Sequence, residues 1–153
     1  MTTADSEPEA TARVLRRIVL VDDDEILRLS LRAAFTRAGW KVVGEAADGR
    51  EGVEVAIGEK PHVVLMDLSM PNMHGIEATR AIRGLGGWYA DVPILGLTAN
   101  VLPEQIRDYL QAGMNDVLAK PVRAADLVQK IAFWLEGPEA GIMVDDSLDS
   151  LAS

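Results

Sequence analysis

From Arg17 onward, short apolar runs rich in Val, Ile and Leu alternate with longer stretches in which apolar residues recur every three or four positions, and Gly, Asp, Asn or Pro stands between them. A short apolar run fits a buried strand, and the longer period marks one face of a helix. The pattern predicts strands over Ile18–Val21, Lys41–Glu45, His62–Met66, Ile94–Leu97 and Asp116–Ala119. Between them, Ile26, Leu27, Leu31, Ala34, Phe35 and Ala38 form a stripe that stops at Gly39, and Gly52, Val53, Val55 and Ala56 open a shorter helix expected to end near Gly58. Ile76, Thr79, Arg80 and Ile82 carry a third helix up to Gly84, Pro103–Ala112 a fourth with Pro in its first turn, and Ala124–Leu135 a fifth.

Strands that are apolar throughout are covered on both faces, and strict βα alternation favours parallel strands joined by right-handed crossovers. The expected fold is α/β: a doubly wound, five-stranded parallel sheet of order 2-1-3-4-5, a flavodoxin-like three-layer sandwich. Residues 17–136 hold this domain. Residues 1–12 are mostly small and polar, and residues 1–16 are expected to form a disordered lead-in; residues 137–153 carry four acids and no base and are expected to be an acidic tail without an output domain.

Composition narrows the function. Lys+Arg number 15 against Asp+Glu 24, a net charge of -9, which disfavours direct binding to a nucleic-acid backbone. With Cys 0 there is no disulfide, thiolate metal site or thiol nucleophile. No apolar stretch reaches the roughly 20 residues that cross a bilayer, so no membrane insertion is expected, and a polar, acidic start unlike a signal peptide points to the cytoplasm.

The candidate chemistry lies where strands end. The first strand runs into Asp22, Asp23, Asp24 and Glu25, and the third runs into Asp67. In a doubly wound sheet ligands bind beyond the carboxyl ends of the strands, where the chain order reverses, so these acids should meet there. At roughly 4 Å and an effective dielectric near 20, two carboxylates repel by on the order of 4 kcal/mol. A hard divalent cation relieves this, and Mg²⁺ suits an oxygen-only site shared with phosphate. Thr98 and Lys120, at the ends of the fourth and fifth strands, add a hydroxyl and an ammonium. Together these groups could stabilise a phosphoryl group in transfer to Asp67.

In these residues the chain resembles the receiver domains of response regulators in two-component systems, over roughly Arg17 to Leu135. Four motifs stand in order: Val-Asp-Asp-Asp, Met-Asp-Leu-Ser-Met-Pro-Asn-Met-His-Gly, Leu-Thr-Ala-Asn and Ala-Lys-Pro. The resemblance implies Asp67 as phosphoacceptor, Asp23 as direct Mg²⁺ ligand with Asp22 as its water-bridged or hydrogen-bonded partner, and the backbone carbonyl of Ser69 as a further ligand. It implies Thr98 as switch hydroxyl, Lys120 as phosphate-binding lysine, small Ala99 beside the phosphoryl group, and a cis bond before Pro121. Ser69 and Asn100 would flank the water route and tune phosphate lifetime. Phosphorylation would rearrange the face of helix four, strand five and helix five, which an unknown downstream protein reads. Val117 stands where the family often has an aromatic switch residue. The wording of the motifs most resembles receivers of hybrid histidine kinases and phosphorelays, so the implied donor is a histidine kinase or histidine phosphotransfer domain, and the chain is not a conventional enzyme.

Plainer and rival readings stand beside this one. Asp24 and Glu25 are read as cap or solvated residues, His62 and His74 as packing or surface residues, and Trp88, Tyr89 and Trp134 as core or rim. An aspartate-nucleophile phosphatase would carry Asp-x-Asp where this chain has Ser69. A flavin carrier would need a phosphate loop where four acids stand. A phosphate-independent receiver-like module is the remaining alternative, although such proteins commonly lose the acidic groups retained here.

Overall fold

The computed structural model describes residues 16–68, 74–99 and 102–136. Its elements are β1 (Arg17–Val21), α1 (Glu25–Arg37), β2 (Lys41–Ala46), α2 (Gly49–Glu59), β3 (Val63–Asp67), α3 (Gly75–Arg83), β4 (Ile94–Thr98), α4 (Pro103–Gln111), β5 (Asp116–Ala119) and α5 (Ala124–Glu136), with a single helical turn at Trp88–Asp91 between α3 and β4. The strands depart from the sequence pattern by no more than one residue at either end. That residue matters at β3 and β4, which run on to include Asp67 and Thr98.

All neighbours in the sheet are parallel, in the order β2-β1-β3-β4-β5. Alternation along β1 sends Ile18 and Leu20 to one face and Val19 and Val21 to the other. The first pair packs with Leu31 and Phe35 of α1 and with Leu127 and Ile131 of α5. The second packs with Ala56 of α2 and with Ala78 and Ile82 of α3. Each face is therefore a separate core, and burial of each large apolar side chain contributes about 1.5–3 kcal/mol. Gly52 lets α2 approach β1: a Cβ there would lie 2.7 Å from a methyl of Val21.

Helix ends follow local chemistry. Asp24 and Asp48 cap α1 and α2 by accepting the backbone N–H groups of Leu27 at 3.1 Å and Glu51 at 2.8 Å. Gly39, at φ +89°, ends α1, and Trp40 N–H returns to Phe35 O at 2.9 Å. α2 stops near Gly58 as expected, but it opens at Gly49, capped by Asp48, and not at Gly52. The helix continues to Glu59, and Lys60 takes the left-handed conformation at φ 46° with its N–H on Ala56 O at 3.1 Å. Pro61 then has no N–H with which to extend it. Arg16, assigned to the lead-in, already accepts Lys41 N–H at 2.8 Å. Residues 1–15 and 137–153, the remainder of the two expected tails, lie outside the described residues. No described helix is long and apolar enough to cross a membrane.

One polar staple had no counterpart in the sequence pattern. Arg83, at the end of α3, donates to Gly113 O (3.0 and 2.8 Å), Tyr89 O (3.0 Å), Val92 O (2.7 Å) and Asn115 Oδ1 (2.9 Å). Asn115 Oδ1 also accepts Ile94 N–H at 2.9 Å, so one guanidinium ties the start of β4 to the turn before β5. Hydrogen bonds of a charged donor contribute about 1.5–3 kcal/mol, and their half-buried acceptors would be orphaned without it. Arg83→Met should therefore lower unfolding stability by about 2–3 kcal/mol in urea melts, whereas Arg80→Met, at an exposed position of the same helix, should change it by less than about 0.5 kcal/mol.

Candidate active site at the strand ends

The site is assembled by backbone pairing before any side chain contributes. Asp67 closes β3 opposite Leu97, and Thr98 closes β4 opposite Ala119. Asp22, one residue past β1, has its N–H on Ala46 O at 3.0 Å. Leu68 N–H reaches Leu97 O at 2.9 Å and Lys120 N–H reaches Thr98 O at 2.8 Å, so the chain leaving β3 and β5 is held to β4. Gly75 starts α3 directly against this edge: a Cβ would lie 2.9 Å from the backbone oxygen of Asp67 and 2.5 Å from Leu68 Cδ2. Only glycine allows that approach.

Asp22, Asp67 and Thr98 are each only 3% exposed, while Asp23 lies open to solvent. One oxygen from each of Asp22, Asp23 and Asp67 falls within 4.8 Å of the others. At such a separation the buried pair, Asp22 and Asp67, repel by on the order of 3–4 kcal/mol at an effective dielectric near 20. Lys120 answers part of this charge, its Nζ lying 3.2 Å from Asp22 Oδ2 and 3.3 Å from Asp67 Oδ2. With all groups ionised, three carboxylates against one ammonium leave two negative charges.

Titration follows the same forces. Burial pushes the Asp22 carboxyl above its ordinary value; the Asp24 N–H at Oδ1 (2.8 Å) opposes the rise, the Asp67 charge adds to it, and Lys120 opposes it. Burial alone would depress the Lys120 ammonium, but Asp22 and Asp67 outweigh it and raise its pKa.

The donor set fits Mg²⁺. It consists of hard carboxylate oxygens, and buried Asp22 Oδ2, although close to Lys120 Nζ, has no aligned hydrogen bond. A cation that keeps several of its own waters needs few protein ligands and leaves room for a phosphate oxygen.

Of the residues singled out from sequence, Asp22, Asp23, Asp67 and Lys120 meet, and Thr98 closes the adjacent strand. Ala99 and Pro121 are exposed beside them, the Lys120–Pro121 bond is cis, and Val117 is half-buried against the second core. Ser69 and Asn100 lie outside the described residues. Asp24 is a helix cap, as read. His62 accepts Arg17 N–H at 2.9 Å and packs on Trp88, at the opposite end of β3 from Asp67. Trp88 and Tyr89 bond through Nε1 and OH to the carbonyls of Pro61 (2.8 Å) and Ile57 (2.7 Å), a rim role.

Sequence reading gave no role to Arg28 or Glu45. Arg28 Nη1 donates to the Asp22 backbone carbonyl at 2.5 Å and its Nε to Glu45 Oε1 at 3.0 Å. Burial would raise the Glu45 carboxyl, but hydrogen bonds from Arg32 and Arg28 hold it below its ordinary value. The signal that could have found this pair is the strand order, which sets Glu45 beside Leu20 at the end of β1.

A raised carboxyl pKa means that folding works against ionised Asp22. In metal-free protein at neutral pH, Asp22→Asn should raise the urea midpoint. The gain should vanish as pH falls below 3.8, the ordinary carboxyl value, where the wild-type group is protonated in both states. Urea titrations of both proteins across that range check it.

Comparison with known proteins agrees with this geometry. The family model for the response regulator receiver domain matches residues 18–132. The CAI-1 autoinducer sensor kinase/phosphatase CqsS of Vibrio cholerae is 36% identical over 128 residues, which make up 84% of this chain but 18% of that protein. The chemotaxis protein CheY of Thermotoga maritima is 33% identical over 116 residues, 76% of this chain and 94% of CheY. Among solved structures, the receiver domain of sensor histidine kinase PA1611 from Pseudomonas aeruginosa, with a magnesium ion coordinated in its active site cleft, superposes with a TM-score of 0.72 at 36% identity, covering 80% of this chain and 98% of that one. By motif order, fold and match to that family over most of its length, the chain belongs to the response regulator receiver family.

Proposed function

We propose that this receiver domain is a phosphoryl-accepting switch with Asp67 as acceptor. The observation that carries the reading is Lys120 Nζ within 3.3 Å of Asp67 Oδ2 and 3.2 Å of Asp22 Oδ2 at the ends of adjoining strands. The donor would be the phosphohistidine of a histidine kinase or histidine phosphotransfer domain. A carboxylate oxygen of Asp67 attacks phosphorus, the P–N bond to the imidazole breaks, and the electron pair stays on the departing nitrogen, which then takes up a proton.

Asp23 and Asp67, with the Ser69 carbonyl, would hold Mg²⁺, and Asp22 would act through a water or hydrogen bond. Bound there, Mg²⁺ supplies charge neutralisation at a phosphoryl oxygen. Lys120 neutralises a second oxygen and Thr98 donates its hydroxyl to a third, so the negative charge that develops on the phosphoryl group meets fixed partners. Ser69, Ala99 and Asn100 would set how readily water reaches the acyl phosphate.

The readout would be the face of α4, β5 and α5. α4 buries none of its residues, and Leu110 within it and Leu102 just before it are 43% and 51% exposed, so displacing it sacrifices little packing. Val117 brings no aromatic ring, and the switch would run from Thr98 to α4 without one. Similarity to the receiver segment of CqsS supports a phosphorelay setting, in which a kinase module elsewhere or a phosphotransfer domain is the partner.

Incubation with Mg²⁺ and acetyl phosphate, followed by intact mass measurement, should show one added phosphoryl group. Asp67→Asn and a chelator-treated sample should show none. A folded wild type that gains no mass with acetyl phosphate or with a phosphorylated histidine phosphotransfer domain would refute the reading. Lys120→Met should remain folded and accept phosphoryl about 10²–10³-fold more slowly, the usual loss when one charge-stabilising donor is removed; quench-flow or timed mass sampling would check it.

A further inference from the structure

Arg28 lies on α1 with its side chain turned back onto the corner that precedes the helix. Besides gripping the Asp22 carbonyl at 2.5 Å, it is braced by Glu45 Oε1 at 3.0 Å, and Glu45 Oε2 is held in turn by Arg32 Nε at 2.7 Å. The Arg28 and Glu45 side chains are 16% and 23% exposed, so water competes weakly for these bonds. Other polar groups of Asp22 are also fixed: its N–H by Ala46 O at 3.0 Å and its Oδ1 by Asp24 N–H at 2.8 Å. Oδ2 is left facing Lys120.

The peptide linking Asp22 to Asp23 is thereby pinned at its oxygen. Rotation of that peptide would swing the Asp23 carboxylate relative to Asp67, so the clamp governs whether the three carboxylates meet. A planar guanidinium can hold a carbonyl and a carboxylate at once in fixed directions, which a lysine ammonium on a flexible stem does not reproduce. We infer that Arg28, braced by Glu45 and Arg32, is a positioning residue that sets the Asp22–Asp23 corner for binding one divalent cation. The inference rests on the reading of the acidic cluster as a Mg²⁺ site.

Charge and positioning act in opposite senses. A guanidinium beside the cluster repels Mg²⁺, so loss of charge alone would tighten binding, whereas loss of the clamp weakens it. Mg²⁺ should be titrated calorimetrically into the metal-free full chain for wild type, Arg28→Met, Arg28→Lys and Glu45→Gln, with unfolding midpoints measured on the same samples. Arg28→Met and Arg28→Lys should bind Mg²⁺ about 10–100-fold more weakly, the range for groups that orient metal ligands, and Glu45→Gln should weaken binding in the same direction. In the metal-free state the Asp24 amide of Arg28→Met should exchange faster with solvent.

Unchanged or tighter Mg²⁺ binding in folded Arg28→Met overturns the inference, as does full recovery in Arg28→Lys. If Arg28→Met fails to fold, Glu45→Gln decides in its place, with unchanged affinity overturning the clamp. A wild type that binds no Mg²⁺ refutes both the site and the inference. A wild type that binds Mg²⁺ but accepts no phosphoryl group refutes only the proposed function, because the affinities still decide the role of Arg28.

Discussion

Two carboxylates buried at the ends of neighbouring strands repel one another, and the interaction on which this site depends is the ammonium of Lys120 that faces both. Its Nζ lies 3.2 Å from Asp22 and 3.3 Å from Asp67, across an edge where each acid is 3% exposed. One cation does not balance three acids, and the charge that remains makes the metal-free pocket a place of stored repulsion. That repulsion is a stability cost to the fold and, on the proposed function, the source of its affinity for Mg²⁺, which with Lys120 would offset the charge of a phosphoryl group.

The fold exists around this edge in a direct sense. The order β2-β1-β3-β4-β5 brings the ends of β1 and β3 together at the point where chain direction across the sheet reverses. Two separate cores fix the sheet from both faces, through Phe35 and Ile131 on one side and Ala56 and Ile82 on the other. Gly75 lets α3 start against the backbone of Asp67. In contrast, α4 buries none of its residues. On the proposed function, a well-packed acidic edge beside a lightly packed helix suits a two-state signalling surface.

Much of this was legible in the sequence because the relevant signals are local. Continuous apolar runs mark strands covered on both faces, and the acids at Asp22, Asp23 and Asp67 stand immediately after or at the end of such runs, so their convergence follows from topology alone. Lys120 and Thr98 were found for the same reason. Elements that depend on long-range partners were not legible. Arg83 looks like an ordinary helix-terminal base until Gly113, Tyr89 and Val92 are brought to it, and Arg28 looks like a solvated helix residue until strand pairing delivers Glu45. The end of α2 near Gly58 was legible, but its start at Gly49 was not, because the cap is supplied by Asp48 ahead of the apolar stripe. The extra turn at Trp88–Asp91 was hidden by the glycines around it, which look like loop alone.

If the residual charge at this edge forms a cation site, unfolding stability measured against Mg²⁺ concentration will separate wild type from Asp23→Asn. Wild-type stability should climb with the logarithm of Mg²⁺, by about 2.7 kcal/mol at a hundredfold excess over the dissociation constant, while Asp23→Asn stays nearly flat over the same range. Wild-type stability that does not respond to Mg²⁺, or an equal response in Asp23→Asn, would contradict a cation site there.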